Sequence, residues 1–368
     1  MEDIHRATRR YEQWLGGMIP LVRADLRVKH ERMRLGPFLF MRATFYRWCQ
    51  VWQAQRKQLG DAARAAPVAA VGDLHLENFG TWRDSDGRLI WGINDFDETT
   101  TLPWTQDLIR LAASAHLAIF AEHMAVRRRI ACEAILEGYR AGVETGGQPH
   151  VLEETHGWLR RIALGKLRDP TVFWGRMNAL RTAPDIARRP AAVITGAMPA
   201  PDLPIRFTRR VAGMGSLGRP RFVGIAAWGG GWVAREAKAT APSAWQWATG
   251  AAAGAGVAYN AIIARAVRVP DPTVRVVDGW LVRRLAPHCA RIELGDLPTI
   301  RDEERLLYAM GFETANVHLG TPRIRETLRK QLAARRGHWL HEAARQLSTE
   351  VVRDWREWRQ RKETRRAG

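Results

Sequence analysis

Apolar residues recur at helical spacing through residues 1–60, with Tyr11, Trp14, Leu15 and Ile19 on one face and Gly36-Pro37-Phe38 as a break. The period then shortens. Residues 68–71 form an apolar run that stops at Gly72, and two β-rich runs, Phe79–Arg83 and Leu89–Ile93, flank the turn Asp84-Ser85-Asp86-Gly87. That order predicts a hairpin, with Asp84 and Asp86 serving the turn itself. Helical spacing returns from residue 102 to about residue 139 and continues through Trp158 and Phe173. Residues 188–204 hold four prolines and little periodicity, which reads as a linker.

Beyond the linker, short strand patterns over residues 205–212, 221–228 and 232–238, with Gly229-Gly230-Gly231 between the last two, predict a small antiparallel sheet. An Ala-rich stretch over residues 243–267 reads as a helix capped by Ser243. Residues 274–277 and 280–285 complete the strands. From Asp302 onward the chain reads as helical, and Leu340, Leu347, Val351 and Trp358 make a packing stripe.

A length of 368 residues suits one large two-lobed domain or two domains. Residues 1–10 are charged and carry no apolar leader core, and the most apolar stretch, residues 111–126, is interrupted by His116, Glu122 and His123. The expectation is a cytoplasmic protein without a membrane partner. Cys49, Cys132 and Cys289 lie far apart, without the spacing of a zinc knuckle, and read as buried free thiols. A net charge of +19 raises the class of nucleic-acid-binding proteins. Nearly all of the 57 basic residues are Arg and they are scattered, however, so only weak, sequence-blind nucleic-acid binding is expected. A general preference for anions, nucleotides included, remains.

The strongest chemical signal is Gly72-Asp73-Leu74-His75-Leu76-Glu77-Asn78, followed across the hairpin by Asn94-Asp95-Phe96-Asp97. An Asp and an Asn five residues apart on a loop after a strand place a base and an amide oxygen on one rim, and the hairpin returns a second Asp beside them. Phosphoryl transfer needs that set: a carboxylate to orient a hydroxyl proton, and hard oxygen ligands for magnesium. Asp97 and Glu98 either extend the metal site or cap the segment that follows.

This order, D-x-x-x-x-N, hairpin, D-F-x, resembles the catalytic and metal-binding segments of the protein-kinase-like superfamily, and G-D-x-H-x-x-N is nearer its aminoglycoside and choline phosphotransferase branch. More closely still, residues 72–80, Asn94-Asp95-Phe96-Asp97-Glu98, Trp104, Asp107 and Arg110 resemble a bacterial family of unknown function assigned to that superfamily, over most of the chain. The resemblance implies Asp73 as catalytic base, His75 as a loop-shaping member of the catalytic segment, and Asn78 and Asp95 as magnesium ligands, with Asp97 beside them as a further candidate ligand. It also implies that Asp107 anchors the loop through backbone amides. The stretch Pro37-Phe38-Leu39-Phe40-Met41-Arg42 belongs to the same resemblance, with Arg42 facing either a phosphate or a structural partner.

In the second half, Gly213-Met214-Gly215-Ser216-Leu217-Gly218 lies between two predicted antiparallel strands, where it suits a glycine turn over ATP phosphates and not a dinucleotide fingerprint. Lys238 ends the next strand, where a kinase-like fold places its phosphate-contacting lysine. Arg283 sits on the strand that would lead to the adenine. The order is inverted relative to the superfamily, because the glycine turn follows the catalytic loop, and Asn316-Val317-His318 come late. A circular permutation accounts for this. The helix after Lys238 offers no acidic partner between Pro242 and Pro270, which leaves Glu236 as the substitute.

The expected fold is therefore α+β, a circularly permuted, protein-kinase-like two-lobed fold: residues 1–190 as a helical lobe with the catalytic hairpin, 191–204 as linker, 205–290 as a small sheet lobe, and 291–368 as closing helices. The expected activity is an ATP- and magnesium-dependent phosphotransferase acting on an unidentified hydroxyl-bearing small molecule. A nucleotide-binding pseudokinase or nucleotidyl transferase on the same scaffold is the alternative, suggested by the missing helix carboxylate.

Overall fold

Asp3 opens the first helix by accepting from Arg6 N, and α1 (Ile4–Met18) is followed by α2 (Arg23–Arg32), α3 (Pro37–Ala43), α4 (Phe45–Ala54) and α5 (Arg56–Leu59). Pro37 stands at the first position of α3, where its missing N–H costs nothing, so the predicted break is a helix start. The structure is a computed structural model that describes residues 1–153, 155–165, 169–251, 259–289, 300–335 and 337–366.

Strand β1 (Pro67–Ala70) leads through a 3-10 turn at Leu76–Asn78 into β2 (Phe79–Arg83) and β3 (Leu89–Ile93), which pair antiparallel with Phe79 opposite Ile93. Asp84 closes this hairpin by accepting from Asp86 N, Arg88 N and Arg88 Nε. β4 (Thr100–Pro103) then returns antiparallel to β1, a pairing absent from the sequence reading, which started a helix at residue 102. Helices α6 (Trp104–Phe120) and α7 (Arg128–Thr145) follow, with β5 (His150–Val151) added to the edge of β3. Residues 104–118 of α6 are all buried, so this helix is the axis of the core, and its polar residues need partners.

After α8 (Gly157–Gly165) and α9 (Pro170–Asn178), the expected linker contains α10 (Arg188–Thr195). Pro190 lies in the first turn, where proline is tolerated, and the other three prolines come after the helix ends. Ile194 packs so closely on the following sheet that a Cβ at Gly224 would meet Ile194 Cγ2 at 2.4 Å.

β6 (Arg206–Arg209), β7 (Arg221–Trp228) and β8 (Gly231–Ala239) belong to one antiparallel sheet of order β6-β7-β8-β10-β9, completed by β9 (Arg275–Val277) and β10 (Trp280–Leu285). Ser243 caps α11 (Ala244–Thr249) through Trp245 N, as expected, but the helix stops at the left-handed Gly250. α12 (Tyr259–Arg265) resumes the pattern; residues 252–258 of the expected long helix lie outside the described residues. α13 (Ile300–His318), α14 (Arg325–Ala334) and α15 (Trp339–Arg366) close the chain, and Leu340, Leu347, Val351 and Trp358 of α15 are buried in the main core. Small antiparallel sheets set against a helical body make the class α+β. Among the described residues, no helix is long and apolar enough to cross a membrane.

Candidate functional site

The loop after β1 is held from below. Val71 N and Gly72 N donate to the two oxygens of Asp107 at 2.7 and 2.9 Å, and His318 Nε2 lies 3.1 Å from Asp107 Oδ2. Tyr139 Oη in turn meets His318 Nδ1 at 2.9 Å. Asp107 and His318 have no exposed surface, so this carboxylate is desolvated and repaid by three hydrogen bonds. Gly72 has φ +84°, and a Cβ there would meet Glu98 O at 2.4 Å, so both the turn and the close approach require glycine.

Asp73 projects from this loop and is ion-paired through Oδ1 with Nε and Nη2 of Arg110, on the same helix as Asp107. Arg110 is fully buried, donates also to Met41 O at 3.0 Å, and lies against the Phe45 and Trp48 rings. Its fork therefore fixes how Asp73 is turned. Burial raises the Asp73 carboxyl more than Arg110 lowers it, and the nearby charges of Glu98 and Asp95 add to the rise; the group is pushed up to about 7. His75 shapes the loop: its Nδ1 accepts from Glu77 N, while its own N–H donates to Asn78 Oδ1 at 2.6 Å. Arg42 takes the structural alternative, pairing with Glu77 at 2.7 Å while lining the cavity above Asp73.

Across the hairpin, Lys238 Nζ is bonded to Asp97 Oδ2 and stands 3.9 Å from Asp95 Oδ1. Glu236 is not its partner. It is shared among Arg210, Arg221 and Arg283 at 2.6, 3.0 and 2.8 Å, because cross-strand register sets Arg283 opposite Glu236 and Arg221 opposite Lys238. Burial alone would raise the Glu236 carboxyl, but those three guanidinium groups hold it well below its usual range. Glu98 does not cap the segment that follows it: its carboxylate accepts from Ala244 N at the distant start of α11 and pairs with Arg219, both at 2.7 Å.

The glycine turn folds down onto Asp73. A Cβ at Gly215 would lie 3.2 Å from Asp73 Oδ2, and Gly213 and Gly218 adopt positive φ. Lys29 Nζ of α2 donates to Gly215 O at 3.2 Å, Val22 N donates to Gly218 O at 2.8 Å, and Leu26 packs against Gly218. Sequence reasoning missed this clasp. Lys29 and Lys238, the buried lysines among the described residues, both face the site. Burial brings Lys29 down to about 8.

Two cavities meet here. The smaller, of about 40 Å³, is lined by Asp73, His75, Asn78, Asp95 and Asp97 below and by Gly213, Gly215 and Ser216 above. That is room for a few water-sized atoms. The larger, of about 460 Å³, shares Asp95, Gly213 and Ser216 with it and continues past Lys238, Arg221, Arg283, Phe96 and Tyr259. Its walls carry more cationic than acidic side chains, and buried Nε and Nη1 of Arg268 have no hydrogen-bond partner there. An anionic ligand of nucleotide size suits this cavity in volume and charge. Of the residues singled out from sequence, Asp73, His75, Asn78, Asp95, Asp97, Gly213, Gly215, Ser216, Lys238 and Arg283 line one or both cavities, Gly218 and Asp107 support the walls, and Glu236, Arg110 and His318 line neither.

Fold and site thus define an α+β protein with an oxygen-rich acidic hairpin facing a basic cleft. Residues 21–172 match a family model described as "Uncharacterized protein conserved in bacteria (DUF2252)". The match takes in the acidic hairpin and α6, and ends before the glycine turn, a shorter span than the resemblance read from sequence. No curated protein and no solved structure matches the chain.

Proposed function

We propose that this chain is an ATP- and magnesium-dependent phosphotransferase of circularly permuted, protein-kinase-like fold, acting on a hydroxyl-bearing acceptor. The observation that carries the reading is the junction of the two cavities: Asp73, Asn78, Asp95 and the glycine turn share the small one, and the large one carries Lys238 and the arginines. In this reading Asn78, Asp95 and Asp97 would hold magnesium, which would screen phosphate charge. Asp73 Oδ2 would take or orient the acceptor's hydroxyl proton, with Oδ1 retained by Arg110. Lys238 and the glycine turn would be the groups available to nucleotide phosphates. Asp107 and His318 keep the loop in place, which is the contact that places the late segment Asn316-Val317-His318 beneath the early loop.

Thermal shift with ATP and Mg²⁺, repeated on Asp95→Ala, tests the ligand; product analysis for ADP against pyrophosphate tests the reaction. Stabilisation by Mg-ATP that is lost in Asp95→Ala is the expected result. A nucleotidyl transferase or pseudokinase is the second reading. It is favoured by the pairing of Asp73 with Arg110 and by the absence of an acidic helix partner for Lys238 among the described residues. Pyrophosphate release, or binding without turnover, would select it.

A further inference from the structure

Far along α6 from the cleft, three helices bring together a separate set of ligands. His116 of α6 and Cys132 of α7 are each 2 % exposed, and His341 of α15 is half-buried beside them. His116 Nε2 stands 3.3 Å from Cys132 Sγ, the two imidazole rings are 5.1 Å apart, and one nitrogen of each ring and the sulfur all lie within 4.8 Å of one another. A second observation is independent of that clustering. Nδ1 of His341 is buried without a hydrogen-bond partner among the described residues, whereas the His116 ring also engages the backbone of Arg128. An imidazole carries a donor and an acceptor, and leaving one of them unmet in the interior is costly.

We propose that His116, Cys132 and His341 bind one thiophilic transition-metal ion, Zn²⁺ or Cu⁺. Two imidazoles and a thiolate are borderline-to-soft ligands, which disfavours Mg²⁺ and Ca²⁺. Binding displaces the thiol proton to solvent, so the ligand set carries one negative charge. Zn²⁺ then leaves a site of charge +1 that needs a fourth ligand, whereas Cu⁺ leaves a neutral, three-coordinate one. The ion would tie α15 to α6, the helix whose first half presents Asp107 and Arg110; His116 lies nine residues beyond Asp107, about 14 Å along the axis. The site is structural and does not depend on the phosphotransferase reading.

The test uses the full chain, stripped with a chelator and titrated with Co²⁺ as a spectroscopic probe, then with Zn²⁺ and, anaerobically, with Cu⁺. Expected are a thiolate-to-cobalt charge-transfer band saturating at one equivalent, its loss in Cys132→Ser, and its retention in Cys289→Ser. Binding should weaken by at least ~10-fold in His341→Ala, a half-buried position whose substitution leaves the core filled. Zn²⁺ or Cu⁺ should raise the melting temperature of the parent and not of His341→Ala, and competition between the two ions identifies the tighter. A band that survives Cys132→Ser, or equal affinity in the parent and His341→Ala, overturns the proposal, as does failure of all three ions to bind. In that event the cluster is an S–H···N contact beside packed rings.

Discussion

Lys238 touches both carboxylates of the Asp95-Phe96-Asp97 segment, bonded to Asp97 and 3.9 Å from Asp95 Oδ1. The ammonium therefore occupies the region where the proposed dication would act, and in that reading the two would compete until a nucleotide drew Lys238 away. Removing one member of a buried pair typically costs about 3–5 kcal/mol, since the other charge is left uncompensated. Lys238→Met should accordingly melt earlier than the parent. Mg²⁺ without nucleotide should then recover more of the loss in the variant than it adds to the parent. Equal Mg²⁺ shifts in the two proteins, read by scanning fluorimetry, would remove Asp95 and Asp97 from the metal site.

Asp73 makes a prediction in pH. As a base it must be ionised, and burial with the nearby charges of Glu98 and Asp95 places its titration at about 7 despite Arg110. kcat/KM should rise with pH, pass half-maximum near pH 7 and level off above about pH 8, and Asp73→Asn should lower turnover by ~10²- to 10⁴-fold with nucleotide affinity little changed. Stability moves the opposite way. The folded-state pKa is raised above the ordinary 3.8, so the favourable contribution is complete below about pH 4 and is lost as pH climbs through about 7. Between pH 5 and pH 8 the parent should lose stability that Asp73→Asn retains, as measured by urea unfolding at each pH. Parallel pH curves for the two proteins would show that Asp73 titrates elsewhere.

Why some of this could be read from sequence and some could not is a matter of range. The hairpin β2–β3, strands β7 and β10, and the Ser243 cap rest on neighbours a few residues apart, and period and turn chemistry report those directly. Asp73, Asn78 and Asp95 flank one hairpin, so their common rim was legible as well. Helix α10 was hidden because proline count does not distinguish a proline in the first turn from one in a helix interior. The strand β4 was hidden because its partner β1 lies some thirty residues earlier. Lys29 reaches Gly215 across 186 positions, and Glu236 prefers three arginines to the lysine beside it. No local pattern encodes either choice; the charge balance of a whole sheet face decides the second.

Asp107 bears on stability and loop order together. Asp107→Ala leaves Val71 N, Gly72 N and the His318 ring without their buried acceptor, and each unmet donor costs about 1–3 kcal/mol. Several kcal/mol should be lost in urea unfolding, accompanied by faster amide exchange at Val71 and Gly72. Asp107→Asn keeps one oxygen acceptor and should lie between the two. If exchange at those amides is unchanged in Asp107→Ala, the carboxylate does not anchor the loop.

Two glycines near Asp73 separate folding from function. At Gly72, positive φ and a 2.4 Å approach to Glu98 O make any side chain costly, so Gly72→Ala should destabilise by about 1–3 kcal/mol or more and lose activity with the fold. Gly215 is exposed and has no such backbone demand; its Cβ would only crowd Asp73 Oδ2 and Arg42 O, each at 3.2 Å. Gly215→Ala should therefore change stability by no more than about 0.5 kcal/mol. Its turnover should fall by an order of magnitude or more, because the added methyl intrudes where the acceptor hydroxyl must approach the free oxygen of Asp73. The discriminating measurement is kcat beside unfolding free energy for both variants. A Gly215→Ala enzyme with parental kcat would mean that the reacting groups do not meet under the glycine turn.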